Sequence, residues 1–113
     1  MLSYQKLDVY QCAIEFLAVA AEIIKQIPRK YSFLADHLKE AAVSSPLNIA
    51  EGTGKPTEAD SSRFFGIARG SSMECGAILD ACKALKLADS ELLQKGGQLI
   101  ERVVSMLTKM IRF

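Results

Sequence analysis

The chain has no tryptophan, one histidine, one asparagine, three prolines and three cysteines in 113 residues, and neither sign of charge dominates it. Each scarcity removes a class of explanation. A di-iron or di-manganese helical centre needs imidazoles beside its carboxylates, supplied as Glu-x-x-His pairs on two helices. With His37 alone and no such pair, no metal or other cofactor is expected. The odd cysteine count (Cys12, Cys75 and Cys82) builds no secreted disulfide framework. Cys75 and Cys82, seven residues apart on one helix, would stand about 10 Å from each other, beyond bonding range. All three fall inside helical patterns, away from the histidine or helix N-terminus that turns a thiol into a nucleophile. They read as small core residues and the chain as a non-enzyme.

Long apolar runs are also missing. The longest, Leu7 to Ile27, is broken by Asp8, Glu15, Glu22 and Lys25 and fails as a membrane span. No basic-then-apolar leader opens the chain, so a cytoplasmic location without membrane contact is expected. Fourteen Lys and Arg against thirteen Asp and Glu leave a net charge of +1, so any case for an anionic partner rests on charge placement. The Gly52-Thr53-Gly54-Lys55 stretch lacks the glycine spacing and trailing hydroxyl residue of a P-loop and reads as a turn between helices.

What the chain does have is helical periodicity over nearly its whole length. The pattern predicts an all-α single domain over residues 1–113, an antiparallel up-down four-helix bundle whose short turns make successive helices neighbours. Helix one is expected over Lys6 to Ile27, closed by Pro28, and helix two from after Ser32, its expected N-cap, to about Gly52, kinked at Pro46 where the carbonyl of Ala42 loses its donor. Helix three opens at Thr57, with Asp60 three residues on, and reaches about Leu87. Helix four starts near Asp89 and runs to the chain end. Gly66, Gly70 and Gly76 on helix three are expected to face helix two and allow close approach. Helix one carries two apolar stripes, Leu7-Tyr10-Ile14-Leu17-Ala21-Ile24 and Val9-Ala13-Phe16-Ala20-Ile23-Ile27. A chain this short has little mass with which to bury a helix on both sides. The second stripe, with Phe16 and Ile23, is therefore expected to meet another subunit.

The most informative segment is Ala41 to Gly52, AAVSSPLNIAEG, where polar residues interrupt a small, apolar helical run. Ser44, Asn48 and Glu51 share one helix face. A half-satisfied polar group inside a core costs about 1 to 3 kcal/mol, so this row needs partners. Ser71 and Glu74 on helix three are the expected ones, with Arg63 or Arg69 balancing the carboxylates, in a network that fixes helix pairing.

NIAEG at Asn48 to Gly52, the preceding AAVS, the Gly-Lys turn and the FFGIARGSSMEC run from Phe64 to Cys75 together resemble the small proteins encoded within intervening sequences of bacterial 23S rRNA genes. The resemblance covers essentially the whole chain; Leu7 to Ile27 and Leu92 to Ile111 match only as amphipathic helices. It implies an up-down four-helix bundle that assembles into rings of five, and no catalytic activity. It also implies kinship with accessory proteins of diversity-generating retroelements, which bind nucleic acid. Where that family often carries two basic residues ahead of AAVS, this chain has Lys39 and Glu40.

For function, Lys95, Arg102 and Lys109 recur every seven residues down helix four, with Arg112 at the end, and Arg63, Lys83 and Lys86 lie on helix three. Such rows can track phosphates. The expectation is a homo-oligomer, pentameric by resemblance, that binds RNA or an RNA-protein complex. The rival expectation is a protein-protein scaffold that touches no nucleic acid.

Overall fold

Four helices take up most of the chain in the computed structural model, which describes residues 1–112. They are α1 (Asp8–Gln26), α2 (Ser32–Thr53), α3 (Glu58–Ala84) and α4 (Ser90–Met110), with 3₁₀ turns at Ser3–Lys6 and Arg29–Tyr31 and no strand among the described residues. Local chemistry accounts for most of the boundaries. Ile27 takes an extended conformation because Pro28 follows it, which ends α1 at Gln26. Thr57 caps α3 by accepting from the Asp60 N–H at 3.2 Å, and Asp89 caps α4 by accepting from Leu92 N–H at 3.0 Å. Ser32 is not the cap expected of it; α2 is entered through the 3₁₀ turn, with Tyr31 in the capping position and no side-chain cap bond.

The end of α3 departs most from expectation. Lys86 adopts a left-handed conformation (φ 56°), and the Leu87 N–H reaches back to the Cys82 carbonyl at 2.9 Å while buried Leu87 covers the turn. This is a Schellman closure with lysine where glycine is usual, so α3 stops at Ala84 rather than near Leu87.

Each helix has two helical neighbours: α1 packs on α2 and α4, and α3 packs on the same pair. Phe16, Ile23, Leu38, Ile49, Val103 and Leu107 are among the side chains fully enclosed between them. The expectation that Phe16 and Ile23 meet another subunit is therefore corrected: they are 1% and 0% exposed, buried by the chain's own helices. The reason lies on α4, where Gly96 has no side chain. A Cβ there would sit 3.4 Å from Ile23 and 3.5 Å from Val19, so α1 comes in close and needs no second subunit to cover this stripe. Of the other stripe, Leu7, Tyr10, Leu17 and Ile24 pack half-buried against the core, and only Ile14, at 40% exposure, and Ala21 stand outward.

The glycines of α3 also play a different part from the one expected. Gly66 and Gly70 face open space and Gly76 faces Ile100 of α4, whereas close approach of α2 to α3 depends on Gly52, whose added Cβ would lie 2.7 Å from the Phe65 ring and 3.1 Å from the Ser61 carbonyl oxygen. Gly52→Ala should destabilise the protein by about 1–3 kcal/mol, because the obstruction includes backbone. Gly66→Ala should stabilise it by about 0.5–1 kcal/mol through helix propensity alone. Urea unfolding of the two variants checks both, and a Gly52→Ala protein as stable as the parent would contradict the packing described.

Candidate nucleic-acid interface

Helices α2 and α3 are joined by two hydroxyl pairs. Ser44 Oγ and Ser71 Oγ are 2.8 Å apart at the half-buried edge, and Ser45 Oγ and Ser72 Oγ are 2.8 Å apart inside the core. Ser72 donates to the Ala68 carbonyl at 2.9 Å, which commits its single proton, so Ser45 is the donor across the helices. Asn48 stays within its own helix, donating to the carbonyl and hydroxyl of Ser44 at 2.9 and 3.1 Å. Two members of the expected network are not in it. Glu51 is exposed and pairs with Lys55 at 3.2 Å, and Glu74 is exposed and lies 3.6 Å from His37. Arg69 balances neither carboxylate but donates to the Thr108 hydroxyl of α4 at 2.8 Å, and Arg63 stands over Phe64. A carboxylate on the outer half of a seam gains more from water and a local lysine than from burial. The sequence reading missed Ser45 and Ser72, although both serines precede larger apolar neighbours in the same run.

The cations expected to meet nucleic acid, Lys95, Arg102, Lys109, Arg112, Arg63, Lys83 and Lys86, are all exposed. Among the described residues none of them forms an ion pair. They do not make one patch. Arg63 and Arg112 lie at the end of the molecule that holds the α2–α3 turn, where the Arg112 backbone N–H donates to Ser62 Oγ at 2.8 Å and its guanidinium donates to the Lys109 carbonyl at 2.9 Å. Lys83 lies toward the opposite end, lining an open groove of about 1200 Å³ between α3 and α4 that Lys109 also borders.

The α4 row has a companion that the sequence reading did not pair with it. Cys12 of α1 donates to the Leu99 carbonyl of α4 at 3.5 Å, and near it stand both Arg102 and Glu15: burial pushes the Cys12 thiol up, Arg102 draws it down and Glu15 raises it. Glu15 is one of three acids on α1 spaced by seven, with Asp8 and Glu22 on the same flank. At Cys12 an acid of α1, Glu15, thus shares its surroundings with a base of α4, Arg102. The signal was the shared spacing on two helices.

The remaining chemistry is quiet. All three cysteines are free and buried, and the Cys75 thiol is pushed up to about 12, first by burial and then by the Glu74 charge. Such a thiol is not a nucleophile near neutral pH. Among the described residues no three His, Cys, Asp or Glu side chains gather in a metal-binding group, and no helix is long and apolar enough to cross a membrane.

Four helices joined by a serine seam, with unpaired cations outside, define a small all-helical protein whose distinguishing features are on α2 and α3. The 23S rRNA-intervening sequence protein family model matches residues 5–109, and the chain belongs to that family. No curated protein matches it.

The buried serine pair makes a direct demand on energetics. Ser72→Ala should cost about 1–3 kcal/mol, because it leaves the Ser45 hydroxyl buried without an acceptor. The Ser45→Ala, Ser72→Ala double variant should cost clearly less than the sum of the two single changes. A thermodynamic cycle measured by denaturant unfolding decides this, and strict additivity would show that the two hydroxyls do not act together.

Proposed function

We propose that this chain is a non-catalytic, self-associating protein that binds RNA, alone or within an RNA-protein complex, through cations on α4 and α3 and just beyond their C-terminal ends. The observation that carries this reading is that seven exposed Lys and Arg side chains (Lys95, Arg102, Lys109, Arg112, Arg63, Lys83 and Lys86) stand without a carboxylate partner among the described residues. Phosphates are the natural counter-charge, since contact with them releases condensed counterions. A finer architecture goes with the proposal. Paired contacts at Cys12–Leu99, Gln26–Asp89 and Ser45–Ser72 fit an antiparallel up-down bundle, and the Ala42 carbonyl, lacking an N–H from Pro46, favours a bend in α2. Self-association runs through Ile14 and Ala21, the outward members of the α1 stripe. A ring of five, the assembly implied by the family resemblance, would present the basic rows several times over and let weak contacts add.

A second reading has its own support. Leu47, Met73 and Ile67 are 60%, 53% and 44% exposed, and apolar side chains standing out from α2 and α3 favour a scaffold that gathers protein partners.

Two measurements test these readings. If four cations of the α4 row neutralise phosphates of a single strand, RNA affinity should fall roughly fifty-fold between about 50 and 200 mM salt. The Arg102→Glu, Lys109→Glu variant should bind more weakly with a shallower salt slope. Absence of binding at low salt would leave the scaffold reading. For assembly, Ile14→Glu should lower the particle mass seen by light scattering while the helical content stays. An unchanged mass would remove the α1 stripe from any interface.

A further inference from the structure

The end of the molecule at the α2–α3 turn carries a feature that a phosphate-tracking row does not explain. Phe64, half-buried on the first turns of α3, has two cations against its ring: the Arg63 guanidinium carbon is 4.4 Å from the centroid and Lys55 Nζ is 4.7 Å from it. The two cations are not equivalent. Lys55 is half-buried and already paired with Glu51 at 3.2 Å, so its charge is locally answered. Arg63 is exposed and belongs to no ion pair among the described residues, Asp60 one turn earlier included. At 4.4 Å its guanidinium carbon lies over the aromatic ring, a contact that positions the group without a carboxylate to cancel its charge.

From this we infer that Phe64 and Arg63 form a stacking site for an unpaired nucleobase of RNA, with the guanidinium as the layer on which the base lies. The inference rests on the nucleic-acid reading above and specifies its substrate class, which is single-stranded rather than fully paired RNA. Unpaired bases stack on aromatic rings and on arginine planes, whereas a duplex keeps its bases stacked internally and offers mainly its backbone. Packing against Phe64 pre-orients Arg63, so less side-chain freedom is lost when a base arrives. Arg112 supplies a phosphate contact beside the stack. Its backbone is tied to Ser62, the residue before Arg63, at 2.8 Å.

The conservative variant Arg63→Lys separates stacking from charge, since lysine keeps the positive charge and loses the plane. Fluorescence anisotropy would compare wild type, Arg63→Lys and Phe64→Leu with a labelled oligouridine strand and a blunt RNA duplex of equal length, each at about 50 and 200 mM salt. Arg63→Lys should weaken single-strand binding about tenfold and leave duplex binding within about twofold, with the salt slope unchanged because no charge is lost. Phe64→Leu should follow it if the variant folds, and Arg63→Lys alone suffices if it does not. Equal losses on both RNAs would make Arg63 an ordinary phosphate contact and overturn the stacking site. So would single-strand binding by Arg63→Lys equal to wild type, which removes the stack and leaves the nucleic-acid reading standing. Failure of wild type to bind either RNA at low salt would remove both.

Discussion

The close contact of α2 with α3 is the constraint on which the rest of the structure depends. It rests on small groups: Gly52, which lets the Phe65 ring lie where a side chain would be, and the Ser45–Ser72 hydroxyl pair beneath the Ser44–Ser71 pair. Hydroxyls at this depth are tolerable only because every buried side-chain polar atom among the described residues has a partner. An apolar seam of the same width would tolerate sliding by one helical turn. Two hydroxyl pairs in register do not, because a shift would leave several buried oxygens without partners. The register they set places Phe64, Arg63 and Lys55 together at one end and His37 beside Glu74 farther along.

On the opposite side of the molecule the helices are matched by charge and by a missing side chain. Gly96 admits Ile23 and Val19, and Glu15 of α1 lies near Arg102 of α4. The two side chains hold their charges close without an ion pair among the described residues, so they favour this neighbour for α1 at little desolvation cost. The same nearness limits what the basic row can do alone. A polyanion approaching Arg102 meets the field of Glu15 as well. In the proposed reading, affinity comes from repetition across subunits and from Arg63, which forms no ion pair among the described residues.

Four helices, their approximate spans and the opening of α3 at Thr57 were legible because period and capping are local. The Lys86 closure was not, since a lysine in the left-handed region looks in sequence like any other lysine. Two apolar stripes on α1 were visible, but which one turns inward depends on Gly96, more than seventy residues away, and that reversed the assignment of Phe16 and Ile23. The serine row was read on the correct helices with the wrong depth: Glu51 and Glu74 share its face but find partners on the surface, Lys55 and His37, while Ser45 and Ser72, one position over, hold the buried contact. Spacing identifies a face; how deep that face lies is set by the neighbouring helix.

Depth also explains why a chain with a net charge of +1 remains a reasonable partner for a polyanion. Burial removes few charges here, so almost all of the fourteen basic and thirteen acidic residues reach water, and what matters is their local balance. Lys25, Lys55 and His37 have carboxylates beside them. Arg102 of the α4 row is offset by Glu15 of α1 at one remove. Arg63 rests over an aromatic ring, which positions the guanidinium without cancelling its charge. A cation fixed by a neutral partner keeps its full attraction for phosphate and an open plane for a base, whereas a cation fixed by a carboxylate loses the first and usually the second. On this argument the α2–α3 turn is better suited to specific contact, and the α4 row to salt-sensitive attraction at longer range.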